Sequence, residues 1–267
     1  MKYLVILVGI LSIFGLAAFI LHFTDKKENY ANDVPNNTQY QKIKSFKLPR
    51  QPLVSALCVT IRRTKFLKHS IDDFFAQTYP NKELIIVYDD NDLETSGFAQ
   101  EFVNQSNHPE VKFHKVPHKW NLGQIRNHSV QLANGEFVTQ WDDDDRYDPM
   151  RIEIQLKASF MNKMNAILLK RWHIINTANN NKYMSQSRRP GWEGSILSPK
   201  KYLLKYKYGE GQKKGTHGED TDCIDQLEDH RLISTIDVPD LYTYYLHDKN
   251  TITDETKNGH LHNATRL

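Results

Sequence analysis

The stretch GEFVTQWDDDDRYDP, residues 135–149, decides the fold class of this chain. A run of strand-forming residues ends abruptly in four carboxylates, Asp142 to Asp145, and Pro149 is typical of the start of a helix. Adjacent acids repel one another unless water or a cation neutralises them. Hard divalent ions prefer carboxylate oxygens, and ligands of α/β sheets bind beyond the carboxyl ends of strands. The pattern therefore indicates a cation site, with a solvated acidic loop as the alternative.

Strand and helix patterns alternate along the chain before these acids. Short apolar runs bounded by turn residues are typical of buried parallel strands, and they predict strands at residues 53–60, 84–88, 111–116 and 137–141. Helical spacing lies between them, which predicts an α/β fold with a mostly parallel, Rossmann-like sheet and helices on both faces. The glycine loops GxxxxGK[ST] and GxGxxG, which bind phosphates in other nucleotide sites, do not occur.

Composition excludes some classes of function. The formal charge is +3 over 267 residues and the basic residues are spread along the chain, so no nucleic-acid partner is expected. The two cysteines, Cys58 and Cys223, lack the spacing of metal ligands and are predicted to be buried thiols.

The amino-terminal part predicts a membrane location. Residues 4–23 carry no charge and are long enough to cross a bilayer, so residues 1–23 are predicted to be a transmembrane anchor, with a cleaved signal peptide as the alternative. Residues 24–52 are predicted to be a polar linker, and residues 53–267 a catalytic domain. Lysines flank the span on both sides, so the side of the membrane that the domain faces stays open.

Six short motifs follow one another between about residues 53 and 248. They are VSALCVTIRR at 54–63, QTYPN at 77–81, ELIIVYDD at 83–90, NLGQIRN at 121–127, DDDD at 142–145 and GEDTD at 218–222. In this order and spacing they resemble the family 2 glycosyltransferases, which are inverting enzymes of the GT-A fold. The resemblance implies a nucleotide-sugar donor whose diphosphate is bridged to the protein by Mn²⁺ or Mg²⁺.

The resemblance also implies roles for individual residues on the donor side. It assigns the nucleotide to Thr60, Asp90, Arg126 and Asp142, and the metal to Asp144, Asp145 and His247. Alternatives remain from the residues alone. Asp90 could cap the next segment, Arg126 could be a surface helix arginine, and a lone histidine such as His247 is usually not a ligand.

An inverting displacement needs a general base that takes the proton of the acceptor hydroxyl. Asp220 matches the family's base, with Glu219 beside it as an orienting acid; the alternative is that both are first-turn acids favoured by the helix dipole. Trp192 and Glu193 resemble the acceptor-side segment, where an aromatic face stacks on a sugar, although Trp192 could instead be a core residue. Residues 176–189 are predicted to be a mobile loop near the acceptor.

Two departures from the family bear on specificity. Ile61 and Arg62 stand where the family has Tyr-Asn, so a tyrosine that stacks on the base is missing, and Leu168 stands where processive synthases have the Gln of QxxRW. We therefore expect transfer of a single sugar, from a donor that is expected to be UDP-linked, to a glycan or lipid-linked acceptor. The alternatives are a sugar-nucleotide pyrophosphorylase, whose glycine-rich loop is missing at residues 62–65, and a membrane-anchored pseudoenzyme that only binds carbohydrate.

Overall fold

Two sheets share one hydrophobic core in this protein. The computed structural model describes residues 38–187, 190–211, 218–248, 250, 261 and 264–267. The helices within these residues are α1 (Thr38–Ser45), α2 (Thr64–Ala76), α3 (Leu93–Gln105), α4 (Leu122–Leu132), α5 (Arg151–Met161), α6 (Lys200–Lys205) and α7 (Glu219–Asp229). The strands are β1 (Val54–Thr60), β2 (Lys82–Asp89), β3 (Val111–Val116), β4 (Phe137–Gln140), β5 (Arg146–Tyr147), β6 (Ala166–Leu169), β7 (Arg171–Asn176), β8 (Asn181–Gln186), β9 (Trp192–Pro199), β10 (Ile233–Ile236), β11 (Tyr242–Leu246) and β12 (Ala264–Arg266).

The larger sheet has the strand order β10-β6-β9-β4-β1-β2-β3. Strands β4, β1, β2 and β3 run parallel to one another, and β6 runs parallel to β10. Strand β9 lies between these two groups and runs antiparallel to both β4 and β6. The predicted, mostly parallel sheet is confirmed. Because β1, β2 and β4 are parallel, the polar residues that follow each of them lie at one edge of the sheet.

Both faces of this sheet are covered. In β2, Leu84 and Ile86 contribute to the core that contains apolar residues of α2 and α5, whereas Ile85 and Val87 contribute to a second core with residues of α4, α6 and α7. This alternation is the pleat of a strand that is buried on both sides, which explains its continuous apolar sequence.

The smaller sheet was not predicted. Its strand order is β12-β8-β7-β11-β5, and β11 pairs with β5 in an antiparallel register that places Tyr242 opposite Tyr147. Strand β5 begins directly after the four acids, and β11 is followed directly by His247. The pairing therefore brings His247 to the acids although about a hundred residues separate them in the sequence.

Two predicted segments differ from the structure. The predicted linker contains α1, whose Tyr40 and Ile43 are buried in the core, so its described part is not a free polar tether. The predicted mobile loop at 176–189 is mostly a hairpin: β7 and β8 pair antiparallel around a turn in which Asn180 takes a left-handed φ of 56°. The polar composition of residues 176–189 did not indicate this hairpin, because in β7 and β8 most residues are only half-buried.

The predicted single-pass membrane location is corrected. In the part of the chain that the structure describes, no helix combines the length and the apolar character that crossing a bilayer requires. The predicted span, residues 4–23, lies outside the described residues. The two cysteines are buried and free, as predicted.

Candidate active site

The four acids follow β4 at the carboxyl edge of the larger sheet, and each one has its own partners. Asp142 accepts hydrogen bonds from Arg126 Nη2 at 3.1 Å and from Gln140 Nε2 at 2.9 Å. Arg126 also donates from Nε to Glu219 Oε1 at 2.7 Å. Its side chain is 11% exposed, so it is not a surface helix arginine. This arginine joins the end of β4 to the start of α7.

The position of Arg126 depends on how α4 begins. Asn121 caps the helix, and Gln124 completes a capping box with it. At Gly123 a Cβ would lie 1.8 Å from the carbonyl oxygen of Gly209, so the close approach of the two segments requires glycine there. These local features aim Arg126 at the acids.

Asp143 is fully buried and faces β1 and α2. Thr60 donates its hydroxyl to Asp143 Oδ2 at 2.6 Å, and Arg63 Nη2 lies 2.8 Å from Oδ1. Burial and the neighbouring charge of Asp144 raise the pKa of Asp143 to about 7, which Arg63 and Thr60 partly offset. The structure thus places Thr60, a predicted nucleotide residue, directly against the acid run.

Asp144 faces the smaller sheet. Its Oδ2 accepts from Arg63 Nη1 at 2.7 Å and lies 3.2 Å from His247 Nε2. His247 is stacked on the ring of Phe66, with the ring centres 4.8 Å apart. Burial raises the pKa of Asp144, but the hydrogen bond with His247 and the charge of Arg63 outweigh it and hold the pKa below its usual value. These two partners therefore favour the anionic form of Asp144.

Asp145 differs from its neighbours. It is 1% exposed, and its two oxygens accept hydrogen bonds from the Tyr242 hydroxyl and from the backbone N–H of Tyr245. Burial and the charges of Asp144 and Asp142 raise its pKa well above the usual value. This arrangement ties the acid turn to β11, and it fits a structural role for Asp145 better than the predicted metal ligation.

The side chains around Asp144 provide only part of the ligands that a divalent cation needs. Asp144 and His247 offer one carboxylate and one imidazole, and Mg²⁺ or Mn²⁺ in nucleotide enzymes takes one or two protein ligands and completes its shell from phosphates and water. Within the described residues no group of three or more His, Cys, Asp or Glu side chains is placed to hold a metal. Asp144 and His247 could thus supply two ligands to a cation whose remaining ligands come from a diphosphate and water.

Asp220 lies in the first turn of α7, beside the Arg126 bridge. Burial and the charges of Glu219 and Glu193 raise the pKa of Asp220 to about 8, and Arg126 offsets part of this rise. Glu219 takes the hydrogen bond of Arg126, which leaves Asp220 as the acid of this turn that is poised to exchange a proton near neutral pH. The helix dipole favours acids in the first turn of α7, and this does not prevent Asp220 from also acting as a base.

The predicted acceptor residues lie at the start of β9. Glu193 Oε1 accepts a hydrogen bond from the Thr221 hydroxyl at 3.2 Å, so it is linked to the helix that carries Asp220. Trp192 is half-buried and stacks on Trp172, with ring centres 4.8 Å apart and an interplanar angle of 20°. One face of Trp192 is thus covered by protein.

Asp90 lies apart from these residues, at the end of β2. It is exposed and accepts a hydrogen bond from the backbone N–H of His118 at 3.1 Å. The cap of α3 is Asp92, whose side chain accepts from Thr95 N, so Asp90 is not the helix cap that its position allowed.

A cavity of about 450 Å³ lies near the opposite edge of the sheet, between the end of α1 and the turn at residues 78–80. Neither Asp220 nor any of the four acids that follow β4 lines it.

Comparison with known proteins now decides the family. The sequence pattern described as "Glycosyl transferase family 2" matches residues 55–223, more than half of the chain. This chain belongs to glycosyl transferase family 2. The match contains Thr60, Asp90, Arg126, the four acids and the Glu219-Asp220 pair, and it leaves His247 outside.

Relatives of this family 2 domain agree with that assignment. The chain is 32% identical over 112 residues to a protein of Escherichia coli strain K12 named for colanic acid biosynthesis glycosyl transfer, WcaA; this covers 41% of the chain and 38% of WcaA. TarS of S. aureus in complex with UDP-GlcNAc has a TM-score of 0.57 at 16% identity, over 74% of this chain and 59% of that one. The mannosyltransferase PcManGT of Pyrobaculum calidifontis in complex with GDP-Man and Mn²⁺ has a TM-score of 0.57 at 13% identity, over 84% and 68%.

At such low identity the solved structures show the fold alone, which is GT-A-like. The alignment spans about two fifths of the length of WcaA. Two residues of this family 2 site were missed in the sequence. Arg63 and Tyr242 lie 81 and 97 residues from the acids that they contact, so neither contact can be seen in the sequence without the pairing of distant segments.

Proposed function

We propose that the protein is a metal-dependent inverting glycosyltransferase that moves a single sugar from a nucleoside-diphosphate sugar, UDP-linked by preference, to a glycan or lipid-linked acceptor. The observation that carries the proposal is the Arg126 bridge. One guanidinium contacts Asp142 at the end of β4 and Glu219 at the start of α7, beside Asp220. The acids expected to meet the donor and the acid expected to act on the acceptor therefore belong to one connected site.

In the proposed reaction Asp220 accepts the proton of the acceptor hydroxyl as the oxygen attacks the anomeric carbon, and the nucleoside diphosphate leaves from the opposite side. Arg126 faces the donor phosphates and neutralises Asp142 and Glu219 by pairing with both. Mn²⁺ or Mg²⁺, held by Asp144 and His247, would supply the stabilisation of the charge that develops on the leaving diphosphate.

The relatives support the donor class. TarS and PcManGT bind UDP-GlcNAc and GDP-Man in the solved complexes, and both have the same fold as this chain. The missing tyrosine at Ile61 distinguishes the base side of this chain from the family pattern. We propose Thr60 and Asp90 as its remaining polar contacts to the nucleotide, and Trp192 and Glu193 as contacts to the acceptor.

The test is sugar transfer or donor hydrolysis by the purified full chain over a panel that includes UDP-GlcNAc and GDP-mannose. We expect turnover with Mn²⁺ or Mg²⁺ and loss of turnover in chelator. Asp144→Asn should reproduce the effect of chelator with little change in melting temperature, while Asp237→Asn, in a surface ion pair with Arg171, should match the unmodified protein. Equal turnover in chelator would rule out the metal, and binding of nucleotide sugars without turnover would favour a carbohydrate-binding pseudoenzyme.

A further inference from the structure

Arg63 contacts two of the four acids at once. Its Nη2 lies 2.8 Å from Asp143 Oδ1 and its Nη1 lies 2.7 Å from Asp144 Oδ2. The side chain is 14% exposed, against 1% for Asp143 and 9% for Asp144, so the two ion pairs are largely shielded from water. Shielding strengthens both attractions relative to a surface pair.

The backbone is shaped to hold Arg63 in this place. Strand β1 ends at Thr60, and Arg62 takes a left-handed φ of 50°, which a side chain other than glycine rarely adopts. Arg62 N donates to Asp92 Oδ2 at 2.6 Å, which compensates the strain of this turn. The next residue, Arg63, is the N-cap residue of α2, and its side chain extends back to the acids instead of into solvent.

The contact with Asp144 is made on the oxygen that lies 3.2 Å from His247 Nε2. Oδ2 of Asp144 accepts from Arg63 and also faces Nε2 of His247. A divalent ion held between Asp144 and His247 through this oxygen would share it with the guanidinium or displace the guanidinium. A divalent ion and a guanidinium that share one oxygen repel each other, and the repulsion is stronger in a shielded site than in water.

We propose that Arg63 is a built-in counterion of the metal site, which holds Asp143 and Asp144 until a nucleotide diphosphate draws its guanidinium away from Asp144. A guanidinium pairs with phosphate oxygens in the same forked geometry that it uses with carboxylates. The exchange makes cation binding depend on the donor: without diphosphate Arg63 competes with the cation, and with diphosphate it pairs with the phosphates beside it. Arg63 thus binds the donor directly once the diphosphate is present, and the inference rests on the function proposed above.

Linkage turns this exchange into a measurable quantity. If UDP raises the affinity of the protein for Mn²⁺ by some factor, Mn²⁺ raises the affinity for UDP by the same factor. Removal of Arg63 should strengthen the binding of Mn²⁺ alone and shrink that coupling factor. A merely structural arginine would weaken both ligands instead, because its loss would leave Asp143 buried without its counterion.

The experiment is calorimetric titration of the full chain with Mn²⁺, in the absence and in the presence of saturating UDP. We expect Arg63→Gln to bind Mn²⁺ alone at least about tenfold more tightly than the unmodified protein, and to show a coupling factor reduced at least about tenfold. Arg171→Gln is the matched control, since Arg171 makes an equally short ion pair with Asp237, a residue outside the acid run. It should leave both quantities unchanged.

Unchanged or weaker binding of Mn²⁺ alone by folded Arg63→Gln would overturn the proposal. If that variant does not fold, Arg63→Lys decides, because an ammonium can pair with only one of the two acids at full strength. Its affinity for Mn²⁺ alone should exceed that of the unmodified protein, and equality would overturn the proposal. The titration with Mn²⁺ alone involves no nucleotide sugar. Its result therefore tests the role of Arg63 separately from the proposed transferase function.

Discussion

The two edges of the larger sheet treat buried carboxylates in opposite ways. At the amino ends of the strands, Glu83 is 4% exposed and accepts hydrogen bonds from Ser55 Oγ at 2.6 Å, Lys112 Nζ at 2.7 Å and the backbone N–H of Asn134 at 2.6 Å. Burial raises its pKa, but these donors outweigh burial and lower the pKa to about 2. These contacts link the start of β2 to β1, to β3 and to the turn before β4.

At the carboxyl ends the acids exceed their counterions. Arg126 is shared by Asp142 and Glu219, Arg63 is shared by two acids, and Asp220 is left with a pKa of about 8. At the amino edge, groups of the protein itself neutralise the buried carboxylate. At the carboxyl edge, part of the negative charge is left for a cation or a proton to neutralise, and the shared arginines can also pair with a diphosphate. Stability is therefore expected to depend on the first edge and activity on the second.

The largest expected effect concerns Asp220. Asp220→Asn is nearly isosteric, so nucleotide and cation binding should persist, while the turnover number should fall about 100- to 10,000-fold, or about 3–5 kcal/mol of barrier, the usual contribution of a positioned base. Calorimetry with UDP and a transfer assay measure the two quantities. Asp229→Asn, at the exposed far end of the same helix, is the control and should keep full turnover. A variant that retains most of its turnover would remove Asp220 from the mechanism.

Glu83 should show the second largest effect, on stability alone. Its folded pKa is depressed, so its contribution is fully present above about pH 4.5 and is lost as the pH falls towards 2. Glu83→Gln should lower the free energy of unfolding by about 3 kcal/mol at pH 7, because the depressed pKa stabilises the folded carboxylate by about that amount.

Denaturant unfolding at pH 7 and at pH 3 measures this, and the difference between the two proteins should shrink at the lower pH. The control Glu136→Gln breaks an exposed pair with Arg50 and should cost less than about 1 kcal/mol. A cost for Glu83→Gln that is no larger than this control would erase the contrast between the two edges.

The third expectation is the pH dependence of the reaction. A base with a raised pKa must lose its proton before it can act, so kcat/KM should rise about tenfold per pH unit below pH 8 and level off above it. Glu219→Gln removes the neighbouring charge that raises the pKa of Asp220, and it should move the midpoint to lower pH. A flat profile between pH 6 and pH 9 would show that Asp220 does not carry the rate-determining proton.

The sequence alone determined where the first four strands lie along the chain and which acids follow them. Apolar runs at residues 84–88 and 137–141 predicted strands that the structure has as β2 and β4, with ends that differ by at most two residues. The reason is that a strand buried on both faces needs a continuous apolar run, which is a local property of the chain. The ordered motifs located Asp142 and Asp220 in the same way, and the family match covers both.

Tertiary structure alone decided which acids are anions and which partners they keep. The smaller sheet pairs β5 with β11, so Tyr242 reaches Asp145 from 97 residues away. Arg63 reaches Asp144 across 81 residues. Four identical residues in a row thereby acquire four different environments. The physical reason is that the pKa of a buried carboxyl depends on burial, counterions and donors brought together by distant segments, none of which is encoded in the neighbouring sequence.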